Sequence, residues 1–210
     1  MTSSAQTTHA EEKETGRLEA FSDGVFSIAM TLLVLDLKVP HLGNGASTPA
    51  LASALAQQWP SYLSFVMSFF TVLIMWVNHH IVFRLVRKTN ARLLFANGFL
   101  LLLVTAVPFT TALLSEYLTK PGAAVACAVY AGTFVLISVA YNLLWHVAAR
   151  GRALLKSDAP EHTVQRITRN YMFGPPLYLS ATVSAFVSTY VSVGICFGLW
   201  VFWAVTTKER

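Results

Sequence analysis

Acidic and imidazole side chains lie inside some of the most apolar stretches of the sequence, and these residues could do chemistry. Asp23 and Asp36 interrupt the apolar run 17–40, and His79 and His80 stand side by side near the end of a second run. A charged side chain inside a membrane is unfavourable by several kcal/mol unless it is paired or faces water. Such a residue therefore indicates an ion path, a binding site or a polar contact between helices.

The spacing of these residues disfavours both a metal centre and a catalytic centre. Neighbouring positions on a helix point about 100° apart, so His79 and His80 are badly placed to bind one ion. His146 could add a third ligand, but no carboxylate or cysteine stands at a supporting spacing. A hydrogen-bonded structural histidine is the simpler interpretation. Because no nucleophile, base and orienting group can be assembled, we predict neither an enzyme nor a bound metal or cofactor.

The composition of the 210-residue chain is that of an integral membrane protein. Hydrophobic residues make up 55% of it and charged residues only 12%, whereas soluble domains carry about 25% charged residues. The net charge of +5 does not indicate nucleic-acid binding, because the Lys and Arg residues form short clusters between apolar runs. That distribution is typical of membrane topology.

Six stretches are long and apolar enough to cross a bilayer, which takes about 20 residues. They are residues 18–39, 60–83, 94–116, 122–147, 169–188 and 190–207. The fold prediction is therefore an all-α, polytopic membrane protein whose domain spans residues 17–207, after a disordered tail over 1–16 and before a short end at 208–210. Gly174–Pro176 is expected to kink the fifth span, and five spans with a re-entrant segment remain an alternative.

The basic residues predict the orientation. Of the 15 Lys and Arg residues, all except Lys38 and Lys120 lie in segments that share one side of the membrane. Because such residues accumulate on the cytoplasmic side, both termini are predicted to be cytoplasmic.

The first span carries two distinct helical faces at 100° per residue. Its large side chains share one arc, and we call them the aliphatic stripe: Phe21, Val25, Ile28, Leu32, Leu35 and Val39. Asp23 points almost opposite. Beside Asp23 runs a seam of small residues, which permits close helix approach: Ala20, Gly24, Ser27 and Thr31. The stripe is either a lipid-facing or core-packing surface or, if several copies surround an axis, a hydrophobic constriction.

Polar residues of five predicted spans fall at one depth, in the inner half of the membrane: Ser22, Asp23, Asn78, His79, His80, Asn97, Asn142, His146 and Asn170. Buried polar groups in lipid must find partners, so this layer is expected to be hydrogen-bonded. Asp36 lies at the outer end of the first span instead. It is either an interfacial charge near Lys38 or part of a carboxylate ring that concentrates cations at an outer mouth.

Three motifs resemble the transmembrane protein 175 family, which comprises lysosomal potassium channels and their bacterial relatives. The run 17–23 matches the family's RxxxFSD signature, Trp76-x-x-His79 resembles its second-span pattern, and Asn97 precedes Pro108-Phe109 by eleven residues. Six spans with one copy of the signature resemble the bacterial form. The resemblance therefore implies a location in the plasma membrane of a bacterium.

The resemblance also implies a mechanism and its residues. Bacterial members are homotetramers that conduct potassium somewhat better than sodium through a central pore lined by the first helix. The corresponding constriction here is Ile28, Leu32 and Leu35. Thr31 could offer a hydroxyl to a partly dehydrated ion. A polar network that holds the pore helix corresponds to Arg17, Phe21, Ser22, Asp23, His79 and Asn97.

Two alternatives from other functional classes remain. A secondary transporter could use Asp23 and His79 as a proton relay, and paired broken helices near the midplane would favour it. A membrane scaffold without transport activity would give no ion flux.

Overall fold

The protein is all-helical in a computed structural model that describes residues 2–43 and 47–208, which confirms the predicted fold class. The elements follow in chain order: α1 Thr2–Leu32 with a 3₁₀ turn at Leu33–Asp36, α2 Thr48–Gln57, α3 Trp59–Leu85, α4 Ala91–Thr105, α5 Val107–Tyr117, α6 Ala123–Ala149 with a 3₁₀ turn at Arg150–Arg152, α7 Glu161–Ser184 and α8 Thr189–Lys208. The connection between the first two predicted spans therefore contains a short helix, α2.

Five segments of the described chain are long and apolar enough to cross a membrane. They are Glu14–Asp36, Trp59–Leu85, Ala91–Tyr117, Ala123–Arg152 and Thr189–Thr206. Each of them overlaps one of the predicted spans. The predicted fifth span, 169–188, is a helix but does not meet the same criterion. α7 begins at Glu161, and its first half carries Arg166 and Arg169.

α7 passes through Pro175 and Pro176 without a break in the helix. Pro175 has no N–H to donate to the carbonyl of Tyr171, four residues earlier. The side chain of Asn142 on α6 replaces that donor, since its Nδ2 lies 2.7 Å from the Tyr171 oxygen. A Cβ added at Gly174 would lie only 3.0 Å from the Cβ of Ser138, so α6 and α7 are closely packed at this level.

The break in a spanning helix lies in the third span instead. α4 ends at Thr105 and α5 begins at Val107, with Pro108 in the first turn of α5. The absent N–H of Pro108 is tolerated at that position, because the first N–H groups of a helix have no partner within the helix. The sequence analysis expected a proline effect only in the fifth span and did not anticipate this interruption at Ala106.

α1 begins within residues 1–16, for which the sequence predicts a disordered tail. The structure describes residues 2–16 as the first turns of α1. Near the end of this segment Thr15 is buried, and its hydroxyl donates to the carbonyl oxygen of Arg87 at 3.1 Å. Met1 and residues 209–210, which include most of the predicted C-terminal end, lie outside the described residues.

The loops that follow α3 and α6 pair with each other. The backbone N–H of Arg87 donates to Leu154 at 2.8 Å, and that of Lys156 donates to Leu85 at 2.8 Å. Thr15 of α1 joins the same region through its bond to Arg87. These three basic segments therefore share one side of the molecule, which agrees with the side that their charges predict.

The helices divide into a part that holds α1 and a part remote from it. α1 packs against α3, α4 and α5, whereas α7 packs against α6 and α8. Two helices join the parts, because α6 contacts α4, α5, α7 and α8, and α3 contacts α8 as well as α1. Phe26, Phe83, Leu100 and Phe134 are fully buried within the helical bundle.

Candidate functional site

The aliphatic stripe of α1 lies on the surface of the protomer. Ile28 is 59% exposed, Leu32 is 43% exposed and Leu35 is 72% exposed. The face of α1 that packs into the protomer is a different one, formed by Ser22, Phe26, Ala29 and Leu33. At 100° per residue the two faces are about 110° apart. Core packing within the protomer is therefore excluded as the role of these three residues.

The seam of small residues is also open. Ala20, Gly24, Ser27 and Thr31 are all exposed, and a Cβ added at Gly24 would meet no atom within 4 Å. The seam lies opposite the buried face of α1 and beside the stripe. The close helix approach that such residues permit therefore does not occur within one protomer.

The last turn of the first span is a 3₁₀ helix over Leu33–Asp36. Side chains three residues apart eclipse each other in this geometry. Leu35 therefore stands in line with Leu32 rather than rotating away as it would in a continuing α-helix. The 3₁₀ turn thus keeps Leu32 and Leu35 on one face at the C-terminal end of the first span.

A buried chain of hydrogen bonds attaches α1 to α3 and α4. The Nδ2 of Asn97 donates to the Oγ of Ser22 at 2.9 Å, and the Oγ of Ser22 donates to the carbonyl oxygen of Leu18 at 2.8 Å. The Oδ1 of Asn97 then accepts from the Nε2 of His79 at 2.8 Å. All three polar side chains are at most 1% exposed. His79 acts here as a structural donor between helices.

The ring of His79 is enclosed by aromatic side chains. Its centroid lies 5.3 Å from that of Phe26 and 4.4 Å from that of Phe83, on which it is stacked. Its Nδ1 is buried and makes no hydrogen bond to the described residues. His79 therefore relies on Asn97 alone for polar contact, and we call Ser22, Asn97 and His79 the polar clamp.

A second polar contact joins α1 to α3 beside the clamp. The indole Nε1 of Trp76 donates to the Oδ1 of Asp23 at 2.8 Å. One turn earlier on α1, the Oε1 of Glu19 lies 2.6 Å from the Nδ1 of His80, whose ring stacks on Trp76. The sequence analysis missed the pairing of Glu19 with His80. The spacing of Glu19 and Asp23, like that of Trp76 and His80, is one helical turn and could have indicated it.

Two residues of the expected polar network are not part of it in the protomer. Phe21 is 63% exposed and belongs to the stripe. Arg17 is exposed and forms no hydrogen bond or ion pair with the described part of the chain. The structure therefore brings together Ser22, Asp23, His79 and Asn97, but neither Arg17 nor Phe21, because both of these point toward the stripe side of α1.

Thr31 and Asp36 lie next to the stripe. The Oγ1 of Thr31 donates to the carbonyl oxygen of Ile28 at 2.9 Å, which leaves its lone pairs available to a cation. Asp36 is half-buried, and its Oδ2 makes no hydrogen bond to the residues that the structure describes. It forms no ion pair with Lys38 within that part of the chain. Pairing with Lys38 therefore does not account for Asp36 in the protomer.

One cavity enclosed by the described helices is apolar. A cavity of about 60 Å³ lies between α3, α6, α7 and α8, lined largely by aromatic and aliphatic side chains such as Phe134, Tyr178 and Trp203. None of its lining residues carries a charge. Within the described residues there is also no group of three His, Cys, Asp or Glu that could hold a metal ion.

Comparison with known proteins identifies relatives over nearly the whole chain. A family model described as endosomal/lysosomal potassium channel TMEM175 matches residues 17–108. A potassium channel of Chamaesiphon minutus is 52% identical over 198 residues, covering 94% of this chain and 97% of the relative. A potassium channel of Streptomyces collinus is 44% identical over 178 residues, covering 83% of this chain and 84% of the relative.

One solved structure is similar throughout. It is the crystal structure of a lysosomal potassium-selective channel TMEM175 homologue from Chamaesiphon minutus, with a TM-score of 0.84 and 51% identity. The match covers 93% of this chain and 98% of that chain.

Proposed function

The chain belongs to the TMEM175 family of ion channels, and from this premise we propose that it conducts potassium passively through a pore lined by α1. The relatives named above are potassium channels and not enzymes, which agrees with the absence of a catalytic motif in the sequence. The observation that carries the mechanism is the exposure of Ile28, Leu32 and Leu35 on the face of α1 that its own protomer leaves open.

The pore requires several copies of α1 around one axis, and the proposed assembly is a homotetramer. Closed cyclic symmetry is the common arrangement of such oligomers. The exposed seam supports it, because Gly24 and its neighbours allow a second chain to approach α1 closely. With the seam against a neighbouring subunit, the stripe turns toward the axis.

The proposed constriction acts on the hydration of the ion. A potassium ion must shed part of its water to pass a narrow apolar ring, and it dehydrates more easily than a sodium ion. No cage of carbonyl oxygens replaces the lost water, so the preference for potassium is modest. The hydroxyl oxygen of Thr31, one helical turn after Ser27, offers the ion a weak ligand in place of the lost water.

The proposed topology has six spans with both termini in the cytoplasm of a bacterium. α7 supplies the additional crossing, with its basic first half at the cytoplasmic surface and its apolar second half in the membrane. Its tight packing against α6 supports this, since Asn142 satisfies the carbonyl of Tyr171 inside the helix pair.

Potassium flux into liposomes tests the proposed function. Purified protein should carry potassium down its own gradient in the absence of any coupled ion gradient, and the flux should rise without saturating at low millimolar concentration. The transporter alternative requires a coupling ion and saturates. It would be favoured by paired broken helices, whereas one break, at Ala106, is found in the described spans. A scaffold gives no flux.

Asp36 is proposed to contribute to an outer ring of carboxylates. Replacing it with asparagine should lower the single-channel potassium conductance at low ionic strength and have little effect at about 1 M salt, where the Debye length is about 3 Å. Single-channel recording at the two salt concentrations measures this. Conductance equal to that of the wild type at low salt would remove Asp36 from the outer mouth.

A further inference from the structure

Two side chains with unused N–H donors, one imidazole and one guanidinium, lie at the end of α6. His146 and Arg150 are one turn apart and exposed, and neither forms a hydrogen bond or an ion pair within the described chain. Arg152, two residues on, differs because it pairs with Glu161. His146 and Arg150 therefore offer N–H groups to something outside the protomer.

Both side chains line one cavity between α6 and α7. It measures about 340 Å³, and its other lining residues are Asn142, Trp145, Ala149, Thr168 and Met172. Three of these are already engaged, because the Nε1 of Trp145 donates to the Oγ1 of Thr168 and the Nδ2 of Asn142 donates to the carbonyl oxygen of Tyr171. No lining residue is acidic, so the cavity is electrostatically suited to an anion.

An exposed apolar surface leads from this cavity toward the middle of the membrane. On α6 it consists of Leu136, Val139 and Leu143, which precede His146 at helical spacing. On α7 the corresponding residues are Met172 and Leu179, 67% and 52% exposed. A ligand that fills the cavity and follows this surface must have a charged end and an apolar body.

The cavity faces away from the pore helix. α7 packs against α6 and α8, whereas α1 packs against α3, α4 and α5. If α1 surrounds the axis, as the proposed function requires, then α6 and α7 face the lipid. The open face of this pair is therefore exposed to membrane lipids and not to a neighbouring subunit.

We propose that the groove between α6 and α7 binds an anionic phospholipid, whose phosphate is held by Arg150 and His146. The guanidinium group suits the phosphate because it can donate two parallel hydrogen bonds to it. One acyl chain lies along the apolar surface of α6 and α7. Basic pockets between transmembrane helices at the cytoplasmic side are suited to anionic headgroups in this way.

Native mass spectrometry of the purified protein tests the site. Phosphatidylglycerol and phosphatidylcholine with identical acyl chains are titrated separately, and the bound lipid is counted. The wild type should prefer phosphatidylglycerol by about fivefold, as expected for one arginine near an anionic headgroup. The double variant His146→Gln/Arg150→Gln should lose most of that preference. Arg84→Gln, which removes an exposed arginine of α3 that does not line the cavity, should keep it.

Three results would overturn the proposal. Equal binding of the two lipids by the wild type would show that the groove does not prefer an anionic headgroup. An equal loss in Arg84→Gln would assign the effect to the general surface charge. Thermal stabilisation by inorganic phosphate as large as that by phosphatidylglycerol would assign the cavity to a free anion. Lipid counting needs no ion flux, so failure of the lipid proposal can be distinguished from failure of the proposed channel function. Retained potassium flux in the double variant shows that the variant is folded.

Discussion

Replacing Ile28 with asparagine is expected to remove most of the discrimination between potassium and sodium. Ile28 is the first of the three proposed constriction residues along α1, and its side chain projects away from the protomer. A ring of amide groups there would hold water in the constriction, so that ions keep more of their hydration shells. The permeability ratio should fall toward one, and the reversal potential under bi-ionic conditions in a planar bilayer measures it.

Two control variants separate this effect from a general effect of the substitution. Ile28→Val keeps the ring apolar and should retain the preference for potassium. Leu136→Asn places the same amide on an exposed apolar face of α6, 53% exposed and remote from α1, and should leave the permeability ratio unchanged. An unaltered ratio in Ile28→Asn would show that selectivity arises elsewhere.

Replacing Asn97 with leucine is expected to destabilise the protein and reduce the flux together. Asn97 is the only polar partner of His79 among the described residues, and its loss leaves both ring nitrogens of a fully buried histidine without a hydrogen bond. Removing one partner from a buried polar group costs about 1–3 kcal/mol. The same change removes the hydrogen bond from Asn97 to Ser22, which joins α4 to α1.

Denaturation of the purified protein in detergent, followed by circular dichroism, measures the loss of stability. Asn170→Leu is the matched control, because Asn170 is half-buried in α7 and makes no hydrogen bond within the described chain. It should cost little. Comparable destabilisation by the two variants, or full flux from folded Asn97→Leu, would contradict the role of the polar clamp in holding the pore helix.

The features that were predictable from the sequence are those that depend on local pattern. Hydropathy and length predict all five of the membrane-length apolar helices in the described chain, and the all-helical class, because each helix satisfies its own backbone in a membrane. The helical period groups Ile28 with Leu32, and the shared depth of Ser22, His79 and Asn97 predicts that they meet. These inferences need no knowledge of how the helices are arranged.

The features that were not predictable depend on contacts between helices. The continuity of α7 through Pro175 requires a donor from Asn142 on another helix, which no local pattern of α7 contains. The pairing of Glu19 with His80 likewise depends on the rotation of α1 against α3. The rotation also decides that Arg17 lies away from the polar clamp, although it belongs to the same short motif as Ser22.

The periodicity of α1 alone did not distinguish a stripe that packs in a core from a stripe that lines a path. The structure of one protomer excludes core packing as the role of the stripe. Leu35 of the stripe is 72% exposed, whereas Ala29, on a different face of α1, is buried. The stripe therefore faces either lipid or a pore, and a measurement of ion current distinguishes the two.

Silver modification of a Leu32→Cys variant is the measurement that tests the central claim most directly. Silver ions are small monovalent cations that react with accessible thiols, and the native Cys127 and Cys196 are both buried. Macroscopic potassium current is recorded in a planar bilayer before and after silver is added. We predict a nearly complete, irreversible block in Leu32→Cys and an unchanged current in the wild type. Persistent current in fully modified Leu32→Cys would contradict a pore lined by the stripe of α1.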